Sequence, residues 1–135
     1  MKKLLFTILF GFAVNFIFAQ AHLGSTEYDI KYRREPNHTW TSGTNNYGTY
    51  YISTGMTLGV FAYYFNSNGL CDFCIQIPYN NEDLNTQIQI YNEKYVITSN
   101  HSWSAYVDGG SVIYIKLKYD NDNSTYIFSY SESDN

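Results

Sequence analysis

The dipeptide Asn68-Gly69 restricts the fold of this chain more than any other feature. It lies between two runs rich in aromatic and β-branched residues, 58–65 and 70–77. Asn-Gly in this setting is the strongest short-range signal for a β-hairpin, because both central positions of the turn take positive φ. A two-residue turn here predicts three cross-strand pairs: Tyr64 with Phe73, Ala62 with Ile75, and Val60 with Ile77. We therefore expect an antiparallel hairpin within a β-rich domain.

The predicted register gives the hairpin two different faces. One face collects the more apolar side chains: Leu58, Val60, Ala62, Tyr64, Cys71, Phe73, Ile75 and Ile77. The other is half aromatic and half polar, with Phe61, Tyr63 and Phe65 against Asp72, Cys74 and Gln76. Because strand residues alternate between faces, the more apolar set is predicted to form the main core.

The rest of the chain predicts one clear helix and several strands. Asn80 can cap a helix over about 80–94, in which Leu84, Ile88, Tyr91 and Tyr95 form one apolar stripe. Residues 25–35 are either a first helix, ended by Pro36, or a loop. Strands are predicted at 48–54, 112–119 and 125–130, and a short one at 95–98. The fold class is thus α+β: a single antiparallel sheet of about five to six strands, with the clear helix and the N-terminal helix, if formed, packed on it.

The first twenty residues have the pattern of a secretory signal peptide. Lys2 and Lys3 precede an apolar run over 4–18, and alanines at 19 and 21 follow it. The run is too short for a comfortable membrane span, which needs about 20 residues. We predict a signal peptide at 1–20, cleaved after Ala19 or Ala21, and a single domain at 21–135. The expected location is periplasmic or extracellular, with no membrane span after cleavage.

The charge balance restricts the partners of the processed chain. The whole sequence has 8 basic and 12 acidic residues, and loss of Lys2 and Lys3 leaves six against twelve. An acidic chain of this kind lacks the basic surface that nucleic-acid binding requires. We therefore expect no nucleic-acid partner, and anionic polymers and anionic membranes are poor partners for the same reason.

Several short segments resemble a group of uncharacterised small exported proteins of Bacteroidetes-type bacteria. The segments are Leu23-Gly24-Ser25, the hairpin from Tyr63-Tyr64-Phe65-Asn66 to Cys71, Leu84-Asn85 to Tyr91-Asn92, Tyr95-Val96-Ile97 with Ser99, and Trp103 with Tyr106. They cover most of the processed chain, and they consist of residues that contribute to the fold. The resemblance implies export and a single domain, and it assigns no catalytic residue.

Three sets of residues are candidates for chemistry. Cys71 and Cys74 have the C-x-x-C spacing of redox and disulfide sites, but on a regular strand they would point to opposite faces, so a disulfide would require a bulge. His101 lies near serines and Asp108, without a nucleophile motif around it. Asp120-x-Asp122-x-Ser124 begins like a calcium loop, but Thr125 stands where that loop needs glycine. We predict no metal site, no cofactor and no catalytic residues.

The aromatic residues remain as binding candidates. Trp40, Phe61, Tyr63, Phe65, Trp103 and Tyr106 could form an exposed platform, because flat rings suit sugars and protein interfaces. The alternative is that they cover a second, smaller core. The function predicted from the sequence is an exported, non-enzymatic binding domain for an unknown protein or glycan. The alternative function is a small exported enzyme or thiol-redox protein centred on Cys71 and Cys74 or on His101.

Overall fold

Eight strands form one antiparallel sheet in the computed structural model, which describes residues 21–107 and 110–134. The strands are β1 (Thr41–Thr44), β2 (Tyr50–Met56), β3 (Gly59–Phe65), β4 (Cys71–Ile77), β5 (Val96–Ser99), β6 (Ser102–Tyr106), β7 (Val112–Asp120) and β8 (Thr125–Ser131). Helix α1 (Asn81–Lys94) separates β4 from β5, and a π-helical segment (Asp29–Arg34) precedes β1. The predicted signal peptide lies outside the described residues.

The order of strands across the sheet is β1-β2-β3-β4-β8-β7-β6-β5. Each half of the chain therefore consists of a helical segment followed by a meander of four strands. The two meanders join where β4 pairs with β8, so the centre of the sheet is built from the last strand of each half.

The prediction of five to six strands is wrong, because the sheet has eight and the fold is mostly β. The strands that the sequence failed to specify lie at or next to the edges of the sheet. β1 contains only small polar residues and glycine, and β6 (SWSAY) lies in a segment for which no strand is predicted. β1 has no apolar residue to alternate with its polar ones, and the alternation in β6 extends over only four residues, so pairing with β2 and β7 stabilises both strands.

The central hairpin has the predicted pairs but a different turn. Tyr64 pairs with Phe73, Ala62 with Ile75 and Val60 with Ile77. At the turn, however, the Gly69 N–H donates to the carbonyl of Asn66, and only Gly69 takes positive φ. Phe65 then pairs with Cys71, so Asp72 is an extra residue that bulges from β4. The longer turn shifts the pairing by one residue, and the bulge at Asp72 shifts it back. The strand pairs beyond the bulge therefore have the predicted register.

The core lies on the face of the hairpin opposite to the one predicted. Phe61, Tyr63, Cys74 and Gln76 are at most 2% exposed, whereas the larger side chains of the other face, such as Tyr64, are half-buried. Helix α1 decides between the faces: Tyr91 stacks edge-on against Phe128, with ring centroids 5.4 Å apart. Tyr91 also contacts the ring of Trp103, so covering this face gathers rings from the helix and the sheet into one buried cluster and removes their apolar surface from water.

Helix α1 is the element that the sequence predicted best. The Asn80 side chain accepts a hydrogen bond from the Asp83 N–H at 2.8 Å and so caps the first turn. Tyr91 is buried, and Leu84, Ile88 and Tyr95 pack against the core as the stripe predicted. No helix among residues 21–107 and 110–134 is long and apolar enough to cross a membrane.

The segment before β1 covers the other half of the same sheet face. Its π-helical turn buries Ile30 completely, and the His22 ring lies 5.4 Å from the ring of Tyr63. Glu35 holds the segment in place, since its two carboxylate oxygens lie 3.0 Å from His22 Nε2 and 3.3 Å from His38 Nε2. The expected N-terminal helix is therefore present only as a short π-helical segment packed on the sheet.

A buried polar network links helix α1 to the centre of the sheet. Gln76 Nε2 donates to Gln87 Oε1 at 3.1 Å and to the carbonyl of Leu58 at 3.3 Å. Gln76 Oε1 accepts from the Tyr130 hydroxyl at 2.8 Å, and that hydroxyl also contacts the hydroxyl of Tyr91. Gln76 is fully buried, so each of these bonds replaces one that water would make.

We expect Gln76→Ala to lower the free energy of unfolding by about 3 kcal/mol, because it leaves the buried Gln87 Oε1 without its donor and deprives the Tyr130 hydroxyl of its carboxamide acceptor, at about 1–3 kcal/mol each. Gln89→Ala is the matched control, because Gln89 is exposed on the same helix that carries Gln87. Its effect should stay within about 0.5 kcal/mol. Urea denaturation of the two variants tests this, and equal losses for both would contradict the network.

Candidate functional site

Four of the six aromatic residues proposed as a platform are buried. Phe61, Tyr63, Phe65 and Trp103 are 0–7% exposed and belong to one continuous cluster under helix α1 and the N-terminal segment. The Trp103 indole N–H donates to Asn92 Oδ1 of the helix at 2.8 Å. These four side chains therefore form a buried aromatic cluster and do not form an exposed platform.

The other two proposed residues are separated from each other. Trp40 is half-buried and packs on Tyr63, with ring centroids 6.0 Å apart. Tyr106 is 65% exposed at the end of β6, on the far side of the sheet from Trp40 in strand order. The six residues thus do not come together as one exposed surface.

The two cysteines are buried on the same face of β4, because the bulge at Asp72 places Cys71 on the side of Cys74. Both thiols are free. Burial raises the pKa of Cys71 from 9.0 to about 12 and raises the pKa of Cys74 well above 9.0. A neutral buried thiol is a poor nucleophile, so this geometry gives no support to the thiol-redox alternative.

His101 stands in an exposed turn between β5 and β6. Its backbone N–H donates to Ser99 Oγ at 3.2 Å, and its carbonyl accepts from the Leu117 N–H. Among the described residues, no acidic side chain forms a hydrogen bond or ion pair with its ring; Asp108, a candidate neighbour in the sequence, lies outside them. In the same described ranges, no group of three or more His, Cys, Asp or Glu residues is placed to hold a metal ion.

The face of the sheet turned away from helix α1 carries a row of aromatic rings that was not proposed as a site. Tyr51 of β2, Tyr64 of β3 and Phe73 of β4 are directly paired across the strands. Their ring centroids lie 5.3 Å apart for Tyr51 and Tyr64, and 5.7 Å apart for Tyr64 and Phe73. All three are half-buried, and we call them the open-face row.

Gly43 extends the row towards the edge of the sheet. It pairs with Tyr51, and a Cβ atom at this position would lie 2.8 Å from the Tyr51 hydroxyl oxygen. Because Gly43 has no side chain, the Tyr51 ring can lie across β1. A larger residue at position 43 would force the ring to move.

A groove of about 840 Å³ lies over the inner end of this row. Tyr64, Phe73, Ile75 and Ile127 contribute apolar side chains from the open face. Turns and strand ends supply the rest of the lining: Asn45, Gly48, Thr49, Tyr50, Phe65, Asn66, Ser67, Asp72, Lys118, Asp120, Asp122 and Asn123. An apolar floor with polar groups around it is the usual composition of a ligand site, and the volume lies within the range of such sites, about 300–1,000 Å³.

Two asparagines are held in fixed orientations at the rim of the groove. Asn45 Oδ1 accepts from the N–H groups of Tyr47 and Thr49, both at 2.9 Å. Asn66 Oδ1 accepts from the N–H groups of Asn68 and Leu70, at 3.0 and 3.1 Å. Each carboxamide oxygen faces its own turn, and among the described residues neither Nδ2 has a hydrogen-bond partner, so each is a donor that a ligand can use.

The charged residues of the groove are mostly acidic. Asp72, Asp120 and Asp122 line it together with a single cation, Lys118. Within the described residues, none of these four groups forms an ion pair. Burial is the main cause that raises the pKa of Tyr64, followed by the neighbouring Tyr51 and Cys74 and then by the negative charge of Asp120.

Comparison with protein-family models, with curated proteins and with solved structures finds no match for this chain. The site is therefore defined by its own geometry alone. The predicted pairing of Tyr64 with Phe73 is confirmed, but the prediction that their face forms the main core is wrong. The signal that could have corrected it is the polar character of the residues across the sheet from them, such as Lys116 and Lys118.

Proposed function

We propose that this chain is an exported, non-enzymatic binding domain that holds its ligand in the groove on the open face of the sheet. The observation that carries the proposal is the open-face row, in which Tyr64 and Phe73 form the floor of the groove. Export is inferred from the leader pattern at 1–20. The buried aromatic cluster stabilises the sheet from its other face, and the proposed site is on the open face.

Half-buried aromatic rings on a sheet face are suited to binding because they offer a large apolar area without the entropy cost of long side chains. Here the strands fix the three rings through their pairing, and the ring contacts with neighbours limit their rotation. A ligand therefore meets a surface that needs little rearrangement, which favours affinity.

The test is a binding screen followed by substitution. The chain from residue 21 onward is immobilised and presented with an array of neutral and acidic oligosaccharides and with a library of hexapeptides. For each binder, we expect Tyr64→Ala and Phe73→Ala to weaken the affinity at least about tenfold, as is typical for aromatic residues central to an interface.

Two controls separate the groove from other exposed aromatics. Tyr28→Ala removes a ring that is 61% exposed and lies outside the groove, so it should leave affinity unchanged. Tyr106→Ala tests the one well-exposed residue of the platform predicted from the sequence. A binder that is lost with Tyr106→Ala but retained with Tyr64→Ala would overturn the assignment to the open face.

A further inference from the structure

The groove is longer than a small molecule needs. Its lining residues come from β2, β3, β4, β8 and β7, which are successive neighbours in the sheet. Four steps between strands, at about 4.8 Å each, span about 19 Å. An extended peptide covers that distance with about six residues at roughly 3.3 Å per residue.

The charges of the groove select the class of peptide. Asp72, Asp120 and Asp122 have only Lys118 to balance them, and the side chains of Asp72 and Asp122 form no hydrogen bond within the described residues. Asp120 is partly used in its own turn, where Oδ1 accepts from the Asp122 N–H at 3.3 Å and Oδ2 contacts the Asn123 amide. Carboxylates in a concave, partly apolar site raise the local concentration of cations and repel anions.

The aromatic floor strengthens the same preference. The face of a tyrosine or phenylalanine ring attracts an ammonium or guanidinium group placed over it, by about 0.5–2 kcal/mol depending on solvent exposure. Tyr64 and Phe73 lie in the same groove as the three carboxylates. A lysine or arginine side chain can therefore contact a ring with its stem and a carboxylate with its head.

The rim asparagines fit the backbone of such a ligand. The free Nδ2 groups of Asn45 and Asn66 are donors, and a peptide offers one carbonyl acceptor per residue. Neutral glycans could use these donors too, but they carry no cation for the three carboxylates. We infer that the ligand is an extended, lysine- or arginine-containing peptide segment of about six residues; this inference rests on the proposed function of the groove.

The test compares three acetylated and amidated hexapeptides that alternate glycine with lysine, glutamine or glutamate, together with one neutral hexasaccharide. Residue-resolved NMR titration of the chain from residue 21 onward reports both the affinity and the place of binding. We expect the lysine peptide to shift amide signals around the groove and to bind at least about tenfold more tightly than the glutamine peptide. Its affinity should fall between 20 and 200 mM salt, because screening weakens exposed ion pairs.

Substitutions that each remove one charge test which carboxylates of the groove contact the lysine peptide. Asp72→Asn and Asp122→Asn should each weaken the lysine peptide about two- to fivefold, which is the range for partly exposed ion pairs. Glu93→Gln is the matched control, because Glu93 is exposed on helix α1 and so lies on the opposite side of the sheet.

The outcomes separate this inference from the proposed function. If the glutamine peptide or the hexasaccharide shifts the groove signals as strongly as the lysine peptide, the inferred cationic ligand is overturned while the groove remains the binding site. If the lysine peptide shifts signals elsewhere and the Asp72→Asn variant binds normally, the inference also fails. If none of the four probes shifts the groove signals, both the inference and the proposed function are contradicted.

Discussion

Tyr63→Ala is expected to lower the free energy of unfolding by about 3–5 kcal/mol, the usual cost of deleting a buried aromatic side chain. Tyr63 is 0% exposed and contacts the rings of Phe61, Trp40 and His22. Its removal opens a cavity between the sheet and the N-terminal segment. Since small domains have a total stability of only about 5–15 kcal/mol, the variant should be close to unfolding.

Tyr64→Ala is the matched control, because it removes the same side chain from the next position of the same strand. Tyr64 is half-buried and its ring contacts two cross-strand neighbours, Tyr51 and Phe73. Two such pairs contribute no more than about 2 kcal/mol. Urea denaturation of both variants measures the difference. If Tyr63→Ala fails to fold, Tyr63→Leu keeps part of the volume and should still lose more stability than Tyr64→Leu.

Alkaline pH should unfold the protein, because several ionisable groups are buried in their neutral forms. Burial raises the pKa of Cys71 to about 12 and raises the pKa of Cys74, Tyr63, Tyr91 and Tyr130 as well. Above pH 9 the unfolded chain releases thiol protons, and above about pH 10 it releases phenol protons, while the folded chain retains both. The unfolded state then binds fewer protons, so stability falls as pH rises.

The expected slope is about 1.4 kcal/mol per pH unit for each such group. The contribution of these groups to the free energy of unfolding should be constant below pH 8 and decline from about pH 9. The protein should unfold cooperatively near pH 11. Urea denaturation at a series of pH values, followed by circular dichroism, gives the curve. The Cys71→Ala variant removes one group and should reduce the slope between pH 9 and 12; unchanged stability of the unaltered protein up to pH 11 would show that these groups are not buried.

The sequence predicted those parts of the fold that depend on local chemistry. Helix α1 follows from the Asn80 cap and the stripe that contains Tyr91. The central pairing of β3 with β4 follows from alternation and the Asn-Gly turn, although the turn itself is longer and Asp72 compensates as a bulge. In these segments a few neighbouring residues specify the conformation, so the local sequence is sufficient to predict it.

The remaining features depend on contacts between distant parts of the chain. Residues 41–44 and 102–106 become strands only because β2 and β7 pair with them. The choice of the covered face depends on the N-terminal segment and helix α1, which both pack on the side of Tyr63. Both faces of β3 are apolar enough to be a core, so alternation alone could not decide between Tyr63 and Tyr64. The candidate groove was missed for this reason.

Hydroxyl-radical footprinting of the native protein, with tandem mass spectrometry to separate Tyr63 from Tyr64, tests the assignment of the two faces most directly. Both the proposed site and the inferred ligand depend on Tyr64 being open to solvent while Tyr63 is covered. We predict oxidation of Tyr64 and Phe73 in the native state, and protection of Tyr63 and Phe61 until the protein is unfolded. Oxidation of native Tyr63 with protection of Tyr64 would contradict the account.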